Sequence, residues 1–136
     1  MKFSKLLPWI FASTMASGAL NASAQNWPTK PIKLITSAAP GGVVDIYARR
    51  HQPHLQNELG QAVMVENKPG AGGNLAADFV AHAAPNGNHL LMSFTSHAIN
   101  ASLYPTLPFD PLKDFTPLTK VATSPSVLVA HPSVPF

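Results

Sequence analysis

Two glycine-rich segments decide the fold of this chain: residues 39–45, APGGVVD, and residues 67–74, NKPGAGGN. Each follows a short apolar run and leads into a stretch with helical spacing. We call them the first segment and the second segment. A turn from a strand into a helix exposes backbone N–H groups at the helix N-terminus, where the helix dipole favours negative charge. Two such turns side by side therefore predict a site for a small carboxylate.

Three apolar runs predict strands at residues 31–36, 62–66 and 89–93. A strand, helix, strand, helix, strand order is typical of a parallel sheet with right-handed crossovers, in which ligands bind at the carboxyl ends of the strands. The predicted fold class is therefore α/β. Thr95, Ser96 and His97 follow the third strand, so this third segment is predicted to share an edge with the other two.

The helix boundaries follow from capping residues. Asp45 is predicted as the N-cap of the first helix, which Gly60 ends, and Asn74 as the N-cap of the second. Asp45 is also a candidate for binding a ligand ammonium group. Pro53 should kink or divide the first helix, because it removes one intrahelical hydrogen bond.

The last third of the chain has a different character. Residues 98–104 predict a helical turn, and residues 105–111 a proline-rich connector. Residues 115–121 and 127–130 predict two more strands that begin a second domain. We expect a signal peptide at residues 1–24, a first α/β lobe at 25–104, and a connector with an incomplete second lobe at 105–136.

The N-terminus has the three parts of a secretory signal peptide. Lys2 and Lys5 supply the basic start, residues 6–20 are mostly apolar or small, and Ala22 and Ala24 occupy the two positions that a signal peptidase reads. Cleavage after Ala24 is predicted. Pro8 and several polar residues interrupt the apolar stretch, which argues against a membrane anchor.

Composition excludes several classes of function. The net charge of +3 falls to +1 without Lys2 and Lys5, and no basic surface for nucleic acid is indicated. The absence of cysteine excludes disulfides and thiolate catalysis. His51 and His54 suggest a metal pair, but Pro53 lies between them and no third ligand is spaced nearby, so no metal is predicted. Phosphate-binding and nucleophile-elbow motifs are missing, and we expect no enzyme.

The motifs taken together resemble the Bug family, the TctC-like periplasmic receptors of tripartite tricarboxylate transporters. The resemblance runs over nearly the whole mature chain and rests on both glycine segments and on four further stretches, WPTKPI at 27–32, LGQ at 59–61, HAIN at 97–100 and FDPLKDF at 109–115. Family members have two α/β lobes around a cleft and are about twice this length. The resemblance therefore implies a periplasmic-binding-protein-like fold and the N-terminal portion of a receptor, truncated before most of the second lobe.

The resemblance also implies the ligand-binding residues. In the family the first two turns hold a ligand carboxylate largely through backbone groups, and the third loop helps to line the cleft. Carried over to this sequence, the binding residues are Gly41, Gly42, Val43, Val44, Asp45, Gly70, Ala71, Gly72, Thr95, Ser96 and His97. Val44 departs from the pattern, because family members usually have a small or hydroxyl residue before the aspartate.

The implied function is a periplasmic receptor that binds a small carboxylate-bearing metabolite and presents it to the membrane subunits of a tripartite tricarboxylate-type transporter. The resemblance implies no cofactor, no nucleic-acid partner and no direct membrane anchoring after signal cleavage. Two alternatives stay open: a receptor that signals to a membrane sensor, and a truncated remnant that binds nothing tightly.

Overall fold

A computed structural model describes residues 27–125 and 127–134. The predicted signal peptide lies outside the described residues. Within the two described ranges, no helix has the length and apolar character needed to cross a bilayer.

Three strands alternate with three helices. They are β1 (Ile32–Thr36), α1 (Val43–Leu59), β2 (Val63–Asn67), a 3₁₀ turn (Ala71–Gly73), α2 (Asn74–Ala81), β3 (His89–Met92) and α3 (Ser96–Leu103). The three predicted strands are confirmed to within one residue at either end. The predicted helical turn at residues 98–104 is a full helix that starts two residues earlier.

The strands form one parallel sheet in the order β2-β1-β3. In this register Thr36, the last residue of β1, lies opposite Asn67 of β2 and Met92 of β3. All three strands therefore end at one edge, which we call the carboxyl edge. The predicted α/β class with a parallel sheet is confirmed.

The central strand β1 is buried on both faces, as a parallel strand covered by helices must be. Ile32 and Leu34 pack with Ala48 of α1 and Val63 of β2 in the main core. Because side chains alternate along a strand, Ile35 points to the opposite face, where it is fully buried. Two helical layers thus hold β1 and fix the position of its carboxyl end.

The predicted N-caps are wrong at both helices. α1 begins at Val43 with Gly42 as its N-cap, and Asp45 is the third helical residue. Its carboxylate accepts a hydrogen bond from the Gly41 N–H at 2.8 Å, so it stabilises the chain entering the helix from inside the first turn. At α2 the N-cap is Gly73, and Asn74 is the first helical residue.

Pro53 does not divide α1, which runs unbroken from Val43 to Leu59. Both Pro53 and Arg49, whose carbonyl loses its helical donor, are exposed. Water can therefore bind that carbonyl, and the buried residues on the other face keep the helix on the sheet.

The two strands predicted at residues 115–121 and 127–130 are wrong. Neither segment pairs with another strand in the part of the chain that the structure describes. Leu128 is 97% exposed and Val129 is 80% exposed. A β-branched apolar run becomes a strand only where a neighbouring strand accepts its hydrogen bonds, and sequence pattern alone does not supply that neighbour.

Candidate functional site

The chain segments that leave the three strands lie close together at the carboxyl edge. The Lys68 N–H donates to the Thr36 carbonyl at 2.9 Å, and the Ser37 N–H donates to the Met92 carbonyl at 3.2 Å. The Ser37 and Ser93 hydroxyl oxygens lie 3.4 Å apart. The residues that follow β2 and β3 therefore lie next to the residues at the end of β1.

The first segment turns tightly into α1, and the turn uses two of its own N–H groups. The Gly42 N–H donates to the Ala39 carbonyl at 2.9 Å, and the Gly41 N–H donates to Asp45. A Cβ on Gly42 would lie 3.0 Å from the Ala39 oxygen and 3.1 Å from the Ala38 Cβ, so a larger residue would displace this turn by a few tenths of an ångström. The Gly41 and Gly42 amides are therefore occupied within the protein.

The next three N–H groups of the first segment are those of Val43, Val44 and Asp45. No backbone acceptor is found for them among residues 27–125 and 127–134, as expected for the first turn of an α-helix. The five predicted binding residues of this segment therefore differ: the Gly41 and Gly42 N–H groups have partners within the turn, and those of Val43, Val44 and Asp45 have no backbone acceptor.

Asp45 is the buried charge of the site, with only 3% of its surface exposed. The hydrogen bond from Gly41, followed by those from Arg49 and Asn67, lowers the pKa of Asp45 from an ordinary 3.8 to about 2. The Arg49 Nε lies 3.0 Å from one carboxylate oxygen and 3.1 Å from the other. With its oxygens engaged in this way, the carboxylate is directed into the protein and not towards a ligand ammonium group.

The second segment forms a 3₁₀ turn before α2. The Gly73 N–H donates to the Gly70 carbonyl at 2.9 Å, and the Asn74 N–H donates to the Ala71 carbonyl. The amides of Gly70, Ala71 and Gly72 have no backbone acceptor within the described ranges. All three predicted residues of this segment therefore have N–H groups that are not used in forming the turn.

Close approach fixes the second segment against the first strand. A Cβ on Gly73 would lie 3.1 Å from Ser37 Cβ, so a larger residue would push the two loops apart. Ala71 has a φ of 47°, a left-handed value that is rare outside glycine. Strain of this kind concentrates at functional sites, and here it falls on a predicted binding residue.

The third segment is split. Thr95 is exposed, and Ser96 Oγ is buried without a hydrogen-bond partner, 3.6 Å from where a Cβ on Gly73 would lie. His97 packs elsewhere: its ring stacks on Phe109 with 6.1 Å between centroids, and its Nε2 lies 3.3 Å from the Pro111 carbonyl oxygen. Ser96 thus adjoins the second segment and Thr95 is an exposed residue before it, whereas the His97 side chain anchors residues 109–115 to α3.

Two asparagines outside the predicted site hold it together. Asn100 of α3 is buried, and its amide donates to the Gly72 carbonyl at 3.0 Å and to Asn74 Oδ1 at 2.7 Å. Asn67, the last residue of β2, donates to Asp45 and to the chain after β1. Both lie in the motifs that carry the resemblance, but their roles depend on contacts between distant parts of the chain.

The described ranges contain no group of three or more His, Asp or Glu residues placed to hold a metal ion. His51, one of the two histidines considered above, has its Nδ1 at 2.8 Å from the Tyr47 carbonyl oxygen. The polar groups that converge at the carboxyl edge are mainly backbone N–H donors, which suit an anion.

Comparison with known proteins decides the family. A model of the tripartite tricarboxylate transporter family receptor, TctC, matches residues 47–136. Protein BugT of Bordetella pertussis is 38% identical over 137 residues, which cover 98% of this chain and 42% of BugT. The chain belongs to the TctC receptor family. It spans less than half the length of this relative, and the resemblance to the Bug family is confirmed.

Solved structures of the family agree with the fold. MatC from Rhodopseudomonas palustris with bound malate is 39% identical, has a TM-score of 0.61, and is matched over 67% of this chain and 31% of its own. A second R. palustris protein, solved with adipate, is 32% identical with a TM-score of 0.59 over 62% of this chain and 29% of its own. A structure described as a periplasmic transporter is 43% identical with a TM-score of 0.59, over 64% of this chain and 30% of its own. The family is one of solute-binding receptors, and the similar solved structures include one described as a periplasmic transporter and two with malate or adipate bound.

Proposed function

We propose that this protein is a periplasmic receptor that binds a small carboxylate-bearing metabolite at the carboxyl edge of its sheet. The observation that carries the proposal is the pair of N–H clusters, at Val43 to Asp45 and at Gly70 to Gly72, on neighbouring loops of a TctC family chain. MatC and the second R. palustris protein, which are similar to this chain, hold malate and adipate.

Backbone N–H groups at a helix N-terminus donate to carboxylate oxygens, and the helix dipole adds to the attraction. The buried Asp45 carboxylate would repel a ligand anion if it were uncompensated. Arg49 balances it at 3.0 Å, and Asn67 and Gly41 donate to it. A ligand carboxylate would therefore contact N–H donors, and the Asp45 carboxylate behind them is already balanced by Arg49. Thr95 and Ser96 extend the same site, and the proposal requires neither a cofactor nor a catalytic step.

The proposed partner is the membrane part of a tripartite tricarboxylate-type transporter, to which the receptor delivers its ligand. Export would use residues 1–24 as a signal peptide cleaved after Ala24. Family membership supports both steps.

Calorimetric titration of the protein, expressed from its complete gene, tests the ligand class. Malate and adipate are compared with the corresponding diamides, which keep the shape and lose the charge. We expect binding of at least one diacid and none of the diamides, because the donors at the carboxyl edge favour an anion. Equal binding of diacid and diamide would contradict the proposal.

A glycine substitution then tests the location. In Gly42→Ala the added Cβ meets the Ala39 oxygen and distorts the start of α1, so we expect affinity to fall about tenfold or more, the loss of one or two charge-assisted hydrogen bonds. Gly60→Ala is the control, because Gly60 has a left-handed φ of 63° that alanine disfavours, and it lies at the far end of α1 from the proposed site. The control should lose stability and keep its affinity. Unchanged affinity in Gly42→Ala would place the ligand elsewhere.

A further inference from the structure

Asn67 connects two ligand loops through one side-chain amide. Its Nδ2 lies 2.7 Å from Thr36 Oγ1, 2.9 Å from Asp45 Oδ1 and 3.0 Å from the Ala38 carbonyl oxygen. Thr36 and Asp45 are both buried. A residue at the end of β2 thus reaches the end of β1, the turn that follows it and the first turn of α1.

The other atom of the same amide completes a closed network. Asn67 Oδ1 accepts a hydrogen bond from Arg49 Nη2 at 3.0 Å, while the Arg49 Nε pairs with Asp45. Each of these three side chains therefore contacts the other two. Asp45 also accepts a hydrogen bond from the Gly41 N–H at 2.8 Å, so a fixed Asp45 carboxylate fixes the backbone of the first segment.

We propose that Asn67 is a positioning residue, which holds the Asp45 carboxylate and through it shapes the first segment for ligand binding. It does not touch the ligand. It sets the direction of the Val43, Val44 and Asp45 N–H groups by fixing the turn that precedes them. The inference rests on the proposed function for its effect on affinity, but the ordering of the turn can be measured without ligand.

The chemistry of this position requires an amide. Three acceptors lie within reach of Nδ2, namely Thr36 Oγ1, the Ala38 carbonyl oxygen and Asp45 Oδ1, and Arg49 donates to Oδ1. An amide meets both needs, because it has two N–H donors and an acceptor. A carboxylate of the same shape has no donor, and it would place a second negative charge beside Asp45. Asn67→Asp therefore keeps nearly the same volume but replaces the Nδ2 donor with an oxygen that only accepts hydrogen bonds.

Other charges near Asn67 are already paired. Glu66, which precedes it on β2, contacts Lys68 Nζ at 2.9 Å and Lys33 Nζ at 3.5 Å. Lys68 also lies over the Phe79 ring, 4.1 Å from its centroid. Arg49 is thus the cation that would respond to a new carboxylate at position 67, with Asp45 as the opposing anion.

The experiment compares the wild type with Asn67→Asp and Asn67→Ala in the protein expressed from its complete gene. Asn57→Asp is the matched control, because Asn57 is an exposed residue in the last turn of α1 and its substitution adds the same charge far from the carboxyl edge. Thermal unfolding verifies that each variant is folded. Asn67→Ala removes the amide without adding charge, and it serves if Asn67→Asp does not fold.

The first measurement is amide hydrogen exchange without ligand. We expect the Gly41 N–H to exchange at least about tenfold faster in both Asn67 variants, because its acceptor is no longer held, and at the wild-type rate in Asn57→Asp. Unchanged exchange at Gly41 would overturn the inference whether or not a carboxylate binds.

The second measurement is the affinity for malate and adipate from pH 7.5 to pH 4.5. Affinity in Asn67→Asp should be at least about tenfold weaker than in the wild type at neutral pH. The ratio of wild-type affinity to Asn67→Asp affinity should fall towards one at acid pH. There the two neighbouring carboxyl groups share a proton, which restores a hydrogen-bond donor at position 67. The ratio cancels the titration of the ligand itself.

The two failures are distinguishable. A wild-type protein that binds no carboxylate, with faster exchange in the Asn67 variants, would contradict the proposed function and leave the positioning role supported. A wild type that binds, together with an Asn67→Asp variant that binds equally at every pH, would overturn the positioning role and leave the receptor function supported.

Discussion

The two glycine segments reach the same edge of the sheet, and each has three N–H groups without a backbone acceptor in the described ranges, yet they are held in different ways. Charged side chains hold the first segment: Asp45, paired with Arg49 and bridged by Asn67. Neutral groups hold the second: the Asn100 amide, which donates to Gly72 and Asn74. An arrangement held by charge should respond to pH, and one held by neutral amides should not.

Removing the charged centre should have the largest effect. In Asp45→Ala the Gly41 N–H, Asn67 and Arg49 lose their common acceptor. Asn67 keeps Thr36 and Ala38 as acceptors, but the half-buried Gly41 N–H is left without one. We expect affinity for a bound diacid to fall at least about tenfold, since charged hydrogen bonds are the strong ones. Calorimetric titration measures the change. A wild-type affinity would show that the first segment does not need its charged support.

Removing the neutral support should mainly cost stability. Asn100→Ala leaves the buried Asn74 Oδ1 and the half-buried Gly72 carbonyl without their donor. The free energy of unfolding should fall by about 1–3 kcal/mol, the cost of unsatisfied buried groups. Denaturant unfolding measures it, with Asn57→Ala on the exposed face of α1 as the control. A loss no larger than that of the control would mean that α3 does not hold the second segment.

Lowering the pH should weaken the support of the first segment and leave that of the second segment unchanged. The pKa of Asp45 is lowered to about 2 in the folded protein from an ordinary 3.8, so the ionised form stabilises the fold above pH 3.8 and this contribution is lost as pH falls from about 4 towards 2. Asp45→Asn should therefore show a smaller loss of stability over that interval than the wild type. Glu66 and Asp110, whose pKa values are also lowered by Lys68 and by backbone N–H groups respectively, leave some acid dependence in both proteins.

Amide hydrogen exchange, measured as the pH falls from about 4 towards 2, compares the two segments directly. The amides around Gly41 should lose protection in acid before those around Gly73. Simultaneous loss at both places would indicate that the two segments open as one unit.

The smallest expected effect is at the strained residue of the second segment. Ala71→Gly relieves the left-handed φ of 47° but adds freedom to the unfolded chain, so the net gain in unfolding free energy should be at most about 1 kcal/mol. Ala84→Gly, in an exposed turn without a left-handed φ, should lose stability. If Ala71→Gly loses as much as Ala84→Gly, the left-handed conformation carries no strain.

Sequence reasoning succeeded where a local pattern is enough. Apolar runs such as residues 32–36 identify strands, and their spacing implies a parallel sheet with its loops at one edge. Sequence reasoning failed where one residue type is common in two different structural positions. Aspartate is common both as an N-cap and inside the first turn, and only the path of the chain at Gly41 and Gly42 placed Asp45 third in α1. His97 was grouped with Thr95 and Ser96 by adjacency, but its ring is turned to Phe109.

The amino-acid sequence by itself determined the order of strands and helices up to residue 103, the two glycine turns and the family, because each depends on residues close together in the chain. Only the tertiary structure decided which N–H groups have a partner within the protein, and that Asn67 and Asn100 support the loops that carry them. The reason is physical: a hydrogen bond needs two groups within about 3 Å, and the partners of these two asparagines lie 22 residues away at Asp45 and 28 residues away at Gly72. Folding of the sheet is what brings them within reach.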